Sequence, residues 1–308
     1  MIGGSVRLDR GGTITAILAL AVILATGAAA QQTAPAGGPA TAPAAGGATD
    51  AAIEDVLGKQ QRMPPLEIVN RLTELLQGDV SKVSTPVRLS AYSALAAANE
   101  RLAHEARGNR LDPAAERKAQ TWIDAAVDAC VKGGKTAFAA ADHRAAEQAF
   151  NQALSYRPTN SEALIGVARV LAKTNRHLQA IERYQDYIKA SGRLAKGALE
   201  PELYAEMGDV YVAASLWHQA IRAYNDAIRN GGDTDEVAAS LAEAYLGRGG
   251  SGDAGLALQQ IRKAITKKPS QPLYYAKLAE LLLIQRLFPE ARDQARLGVE
   301  IARKWLST

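Results

Sequence analysis

Three histidines and one glycine run have the types and spacing that bear on chemistry. Imidazoles ligate metals and move protons near neutral pH, and His143, His177 and His218 recur along the middle of the chain. Gly247-Arg248-Gly249-Gly250-Ser251-Gly252 matches GxGxxG letter for letter. That fingerprint cradles a pyrophosphate only when a strand leads into it, and the apolar pattern before Gly247 is helical. The run therefore reads as a lengthened turn between helices. There is no Walker sequence and no GxSxG elbow. The single cysteine, Cys130, can build neither an internal disulfide nor a metal cluster, and it suits a buried apolar helix position. Asp and Glu are plentiful, yet no pair stands in a frame that would exclude water. These residues point away from an enzyme, with no cofactor and no metal expected.

The elements that carry the histidines repeat. Ala146, Phe150, Ala153 and Pro158 are spaced four, three and five apart. The same frame returns as Ala180, Tyr184, Tyr187 and Gly192, then as Ala220, Tyr224, Ala227 and Gly232. It returns again as Ala257, Ile261, Ala264 and Pro269, and last as Ala291, Ala295 and Gly298. Uninterrupted, the period is 34 residues. Upstream of each frame stand Gly134, Ala168, Gly208, Ala242 and Ala279, followed three residues later by Ala137, Leu171, Tyr211, Tyr245 and Leu282. One helix pair cannot hide its own apolar stripe, whereas stacked pairs share a continuous core.

These positions resemble the tetratricopeptide repeat, a helix–turn–helix unit. The resemblance covers units 127–160, 161–194, 201–234, 235–271 and 272–305. It implies an all-α fold, a right-handed superhelical solenoid, with Phe150 and Tyr224 wedged between neighbouring helices. Packing falls to Ala146, Phe150, Ala153, Ala180, Tyr184, Ala220, Tyr224, Ala227, Ala257, Ile261, Ala264 and Ala291. RLAKGALE (193–200) holds a six-residue insertion, and GRGGSGDAG (247–255) lengthens one internal turn by three. The histidines fall at the turns inside successive repeats. Equivalent helices lie about 10 Å apart, too far for one ion with ligands at about 2 Å, so a ring packed on each turn is the expected role.

The resemblance also implies where a partner sits, since such repeats hold extended segments against the first helix of each unit. The ninth place of each unit holds Lys135, Arg169, Asp209, Glu243 and Glu280. Lys132 and Lys173 flank the basic end, and Glu202 and Glu206 flank the acidic one. The paired asparagines of the family's carboxylate clamp are missing. A segment with opposite charge at its two ends matches this order, and the expected partners are other proteins or peptide segments.

Residues 50–126 precede the repeats. Leu66, Val69, Leu72 and Leu76 keep helical spacing, and Ser84-Thr85-Pro86 and Asp112-Pro113 are helix starts. They predict a helical cap outside the repeat frame. Before it, Arg7 and Arg10 lead an apolar run, Ile14–Ala25, and then Ala28-Ala29-Ala30. That is the layout of a signal peptide over residues 1–30, cleaved after Ala30; left uncleaved, residues 14–25 would anchor the chain to the inner membrane. Residues 31–49 are Ala, Pro and Gly without charge, which predicts a tether. Export, tether and composition suggest the periplasm of a bacterial envelope.

The net charge of +4 comes from 36 basic residues scattered among 32 acidic ones. Neither a basic face nor interleaved aromatics appears, so no nucleic acid is expected. The expectation is a scaffold or adaptor, with the regulatory subunit of a membrane-bound enzyme as the alternative. In LGVEIARKWLST (297–308) no further helix is expected to follow, which either leaves Val299 or Ile301 and the Trp305 end for self-association or has Trp305 fold back onto Leu297 and close the end.

Overall fold

The structure, a computed structural model, describes residues 48–108, 113–192 and 199–306. The expected signal peptide, residues 1–30, and most of the expected tether, residues 31–49, lie outside them, as do residues 193–198 of the insertion. Among the described residues there are thirteen helices and no strand. They fall into two compact units.

The first unit carries α1 (Asp50–Lys59), α2 (Pro65–Gln77), α3 (Thr85–Arg107), α4 (Pro113–Ala139), α5 (His143–Tyr156), α6 (Ser161–Lys173) and α7 (His177–Ser191). The second carries α8 (Pro201–Ala213), α9 (Trp217–Arg229), α10 (Asp235–Arg248), α11 (Asp253–Lys267), α12 (Pro272–Ile284) and α13 (Phe288–Leu306). Helix starts follow local chemistry. Asp142, Asn160 and Thr234 accept from the backbone N–H three residues on, at 3.0, 2.8 and 3.2 Å, satisfying donors the helix itself cannot. Proline opens α2, α8 and α12, where its missing N–H costs nothing.

The expected junction between cap and repeats, at 126/127, falls inside α4, a single helix of 27 residues. It packs along α3 into its second half, where a Cβ on Gly133 would lie 3.2 Å from Tyr92, and also with α5, so the cap flows into the first repeat without a break. Nothing in the run Ala125-Ala126-Val127 would stop a helix.

Small residues let the helices close. Phe150 is 2% exposed, and a Cβ on either Gly134 or Gly166 would lie 2.6 Å from its Cε1. Gly134 belongs to α4, in the same repeat, and Gly166 to α6, in the next. Tyr224 stands likewise over Gly208. Ala146, Ala153, Ala180, Tyr184, Ala220, Ala227, Ala257, Ile261, Ala264 and Ala291 are all buried.

Four of the five internal turns share one geometry. Ala141, Asn175, Ser215 and Arg286 take left-handed φ of 59°, 60°, 58° and 64°. The next N–H then reaches back to the carbonyls of Ala137, Leu171, Tyr211 and Leu282 at 2.8–2.9 Å. This back-bond satisfies carbonyls left open at a helix end. The lengthened turn solves the same problem differently. Gly249 and Gly252 supply positive φ, and Asp253, 3% exposed, accepts from the Gly250 N–H at 2.7 Å and from both ends of the Arg248 guanidinium. The GxGxxG letters thus belong to a turn between α10 and α11.

Candidate partner-binding faces

Each unit presents the first helices of its repeats, and the charges fall differently on the two. In the first unit Lys132, Lys135, Arg169 and Lys173 are exposed on α4 and α6. Lys132 pairs with Asp128 one turn back, at 2.8 Å. Lys135 reaches across from α4 to Glu162 of α6 at 2.9 Å, both side chains about 60% exposed. Exposed pairs of this kind contribute about 0–1 kcal/mol, so an incoming acidic group displaces them at little cost.

In the second unit the same helix faces gather acid. Glu202, Asp209, Glu243 and Glu280 are exposed, and Glu206 is half-buried. Glu206 on α8 and Glu243 on α10 are both close enough to act on Asp209 of α8. The Asp209 carboxyl is raised above its ordinary value, first by desolvation and then by the charges of Glu206 and Glu243. The Tyr224 hydroxyl, donating to Asp209 Oδ1 at 2.7 Å, opposes that rise. Glu243 in turn holds Lys277 of α12 at 2.7 Å. The nine charged residues expected on partner faces are therefore divided, four basic in one unit and five acidic in the other.

Three contributors escaped the sequence reading. Glu162 and Lys277 lie 27 and 34 residues from their partners, and only the ninth place of each repeat was compared. The Tyr224 hydroxyl was assigned to packing alone, although a tyrosine at a wedge position always brings a donor to the far side of the core.

Of the three histidines, His143 packs its ring on the turn, and His218 is exposed. His143 and His177 begin α5 and α7, and His143 lies 5.8 Å from the Phe138 ring. Trp217 and Phe288 stand at the equivalent starts of α9 and α13, with His218 one residue further on. Among the described residues no group of three metal-ligating side chains gathers, and no helix is long and apolar enough to cross a membrane. Cys130 is buried, and burial pushes its thiol up to about 12, which leaves it protonated and unreactive. At the end of the second unit Phe288, Val299, Trp305 and Leu306 are exposed on α13.

Two family models, each described as tetratricopeptide repeat, match the chain, one over residues 137–195 and the other over 206–272. Solved structures share the fold. MamA from Desulfovibrio magneticus RS-1 is 12% identical with a TM-score of 0.53, covering 58% of this chain and 96% of its own. Another MamA crystal structure is 19% identical with a TM-score of 0.51, covering 59% and 94%. No curated protein matches the sequence.

Proposed function

Because the chain is a tetratricopeptide-repeat protein, we propose that it is a non-catalytic scaffold of the bacterial cell envelope. It holds segments of other proteins on the first-helix faces of its repeats. The observation that carries this reading is the grouping of Glu206 and Glu243 about Asp209, which accepts from the Tyr224 hydroxyl. Like charges held together on packed helices raise one another's energy, and a basic partner segment relieves that cost while the fold stays fixed. The basic side chains of α4 and α6 select acidic residues in the same way. The exposed end of α13 recruits a further component, a second copy of the chain included.

Charge reversal tests the reading. Wild-type protein is compared with Lys135→Glu/Arg169→Glu and with Glu206→Lys/Glu243→Lys in capture from a detergent-solubilised envelope extract. Loss of one captured protein from either variant, with both folded, supports the reading. Identical capture by all three contradicts it. Residence in the periplasm is read from the mature chain itself: an N-terminus at Gln31 means release, and an intact N-terminus means an anchor through residues 14–25, as a membrane-bound regulatory subunit would have.

A further inference from the structure

A recess of about 370 Å³ opens in the first unit where the start of α3 meets the end of α4. It is lined by Thr85, Arg88, Lys135, Thr136, Ala139 and Ala140. Two of its six lining residues are cations, and no acid lines it. Arg88 donates from Nη2 to Thr85 Oγ1 at 3.2 Å, while its Nε is buried without an acceptor. Among the described residues no carboxylate pairs with Arg88. A buried guanidinium N–H left without an acceptor is costly, and the free energy is recovered when an oxygen arrives.

The other donors complement it. Thr85 Oγ1 accepts from Arg88 and keeps its own proton to give. The Lys135 ammonium carries three protons and spends one on exposed Glu162 at 2.9 Å. Thr85 is the first residue of α3, whose first turn holds no acid and whose N-cap side chain makes no capping bond. The Ser84 backbone N–H at that N-terminus already donates to Asp50 Oδ1 at 2.7 Å, so the positive field of the recess comes from Arg88 and Lys135.

We propose that this recess binds a phosphoryl group. Arg88 Nε, Thr85 Oγ1 and Lys135 Nζ are three donors from two helices, and a phosphoryl group offers three oxygens in a tetrahedral spread. A carboxylate, with two coplanar oxygens, satisfies fewer of them. Binding draws Lys135 away from Glu162, so that exposed carboxylate is the ligand's competitor. The recess shares Lys135 with the partner-binding face, but the inference does not rest on that reading, because free phosphate fills the recess whether or not a protein segment lies on α4 and α6.

The test is an NMR titration of protein labelled with nitrogen-15 arginine, following the Arg88 Nε–H signal. The probes are inorganic phosphate, acetate, and an acetylated, amidated Ala-phosphoserine-Ala peptide. The expected result is a saturable shift with phosphate, weakened at least tenfold in Lys135→Met and in Arg88→Lys, and strengthened in Glu162→Gln. A peptide that binds more tightly than phosphate means the group arrives on a protein segment; equal affinity means free phosphate is the ligand. No saturable shift up to about 50 mM phosphate, where a millimolar site would be full, overturns the proposal. So does acetate binding as tightly as phosphate, or a Glu162→Gln variant that binds less.

Discussion

The Tyr224 hydroxyl donates to Oδ1 of Asp209 across 2.7 Å. One side chain thus wedges the core of the third repeat with its ring and supports a carboxylate on the partner-binding face with its oxygen. Packing and recognition share a residue, so a change at either end is felt at the other.

Asp209 should weaken the fold as its charge forms. Its carboxyl is raised from an ordinary 3.8, with desolvation the first cause. The folded state therefore holds the proton more tightly than the unfolded one. Stability falls as pH rises from about 3.8 through the raised value. In Asp209→Asn, which can still accept from Tyr224, that loss disappears. Denaturation followed by circular dichroism over a pH series should show the two proteins diverging above this window, with the variant more stable.

The lengthened turn should behave in the opposite sense. The Arg248 guanidinium beside Asp253 holds its carboxyl down at about 2 from an ordinary 3.8, helped by the Gly250 N–H. A lowered value means that the contribution is complete above about 4 and is lost as pH falls toward 2. Asp253→Asn should be less stable than wild type at neutral pH, with the difference closing through that acid range. Equal stability at neutral pH would mean that the turn does not depend on this pair.

Phe150 is held by absence of side chain on both sides. Gly166→Ala would bring a Cβ within 2.6 Å of its ring. In an open helix the same change stabilises by about 1 kcal/mol; here overpacking dominates, and a net loss of about 1–3 kcal/mol is expected. Phe150→Ala should cost about 3–5 kcal/mol. Combined with Phe150→Leu, Gly166→Ala should cost less than the sum of the two single changes, since Phe150→Leu removes the ring that the added Cβ strikes. Chemical denaturation of the four proteins measures this coupling.

How much of this was legible in the sequence depended on the reach of each contact. The ring of Phe150 and the glycine at 134 share one repeat, and their spacing marks them. Gly166 was not marked, because the frame gives a position within a unit but not which neighbour it faces. The continuity of α4 through 126/127 was hidden for a different reason: an Ala-rich helix shows no composition change where a second packing partner joins the first. Arg88 lies in the cap, outside the frame, and no periodicity links it to Lys135. The split of charge between the units was readable from the ninth places alone, whereas the counter-ions Glu162 and Lys277 needed the fold.

Turn strain offers a stabilising change. Ala141 has φ of 59°, a region that costs a residue with a Cβ about 1–2 kcal/mol. Glycine removes that cost but adds unfolded-state entropy of about 0.5–1 kcal/mol. Ala141→Gly should therefore stabilise by about 0.5–1 kcal/mol. Asn175, at φ 60°, already tolerates the left-handed region, and Asn175→Gly should be close to neutral. A paired thermal melt separates the two outcomes.

The central claim, that partner segments lie on the first-helix faces, is tested most directly by site-specific photocrosslinking in the intact cell. A photoreactive side chain placed at Glu243, on α10, is compared with one at Arg222, exposed on α9. The account predicts a discrete adduct to another protein from position 243, lost when Glu206 is changed to Lys, and none from position 222. Adducts from position 222 alone, or equal adducts from both, would contradict it.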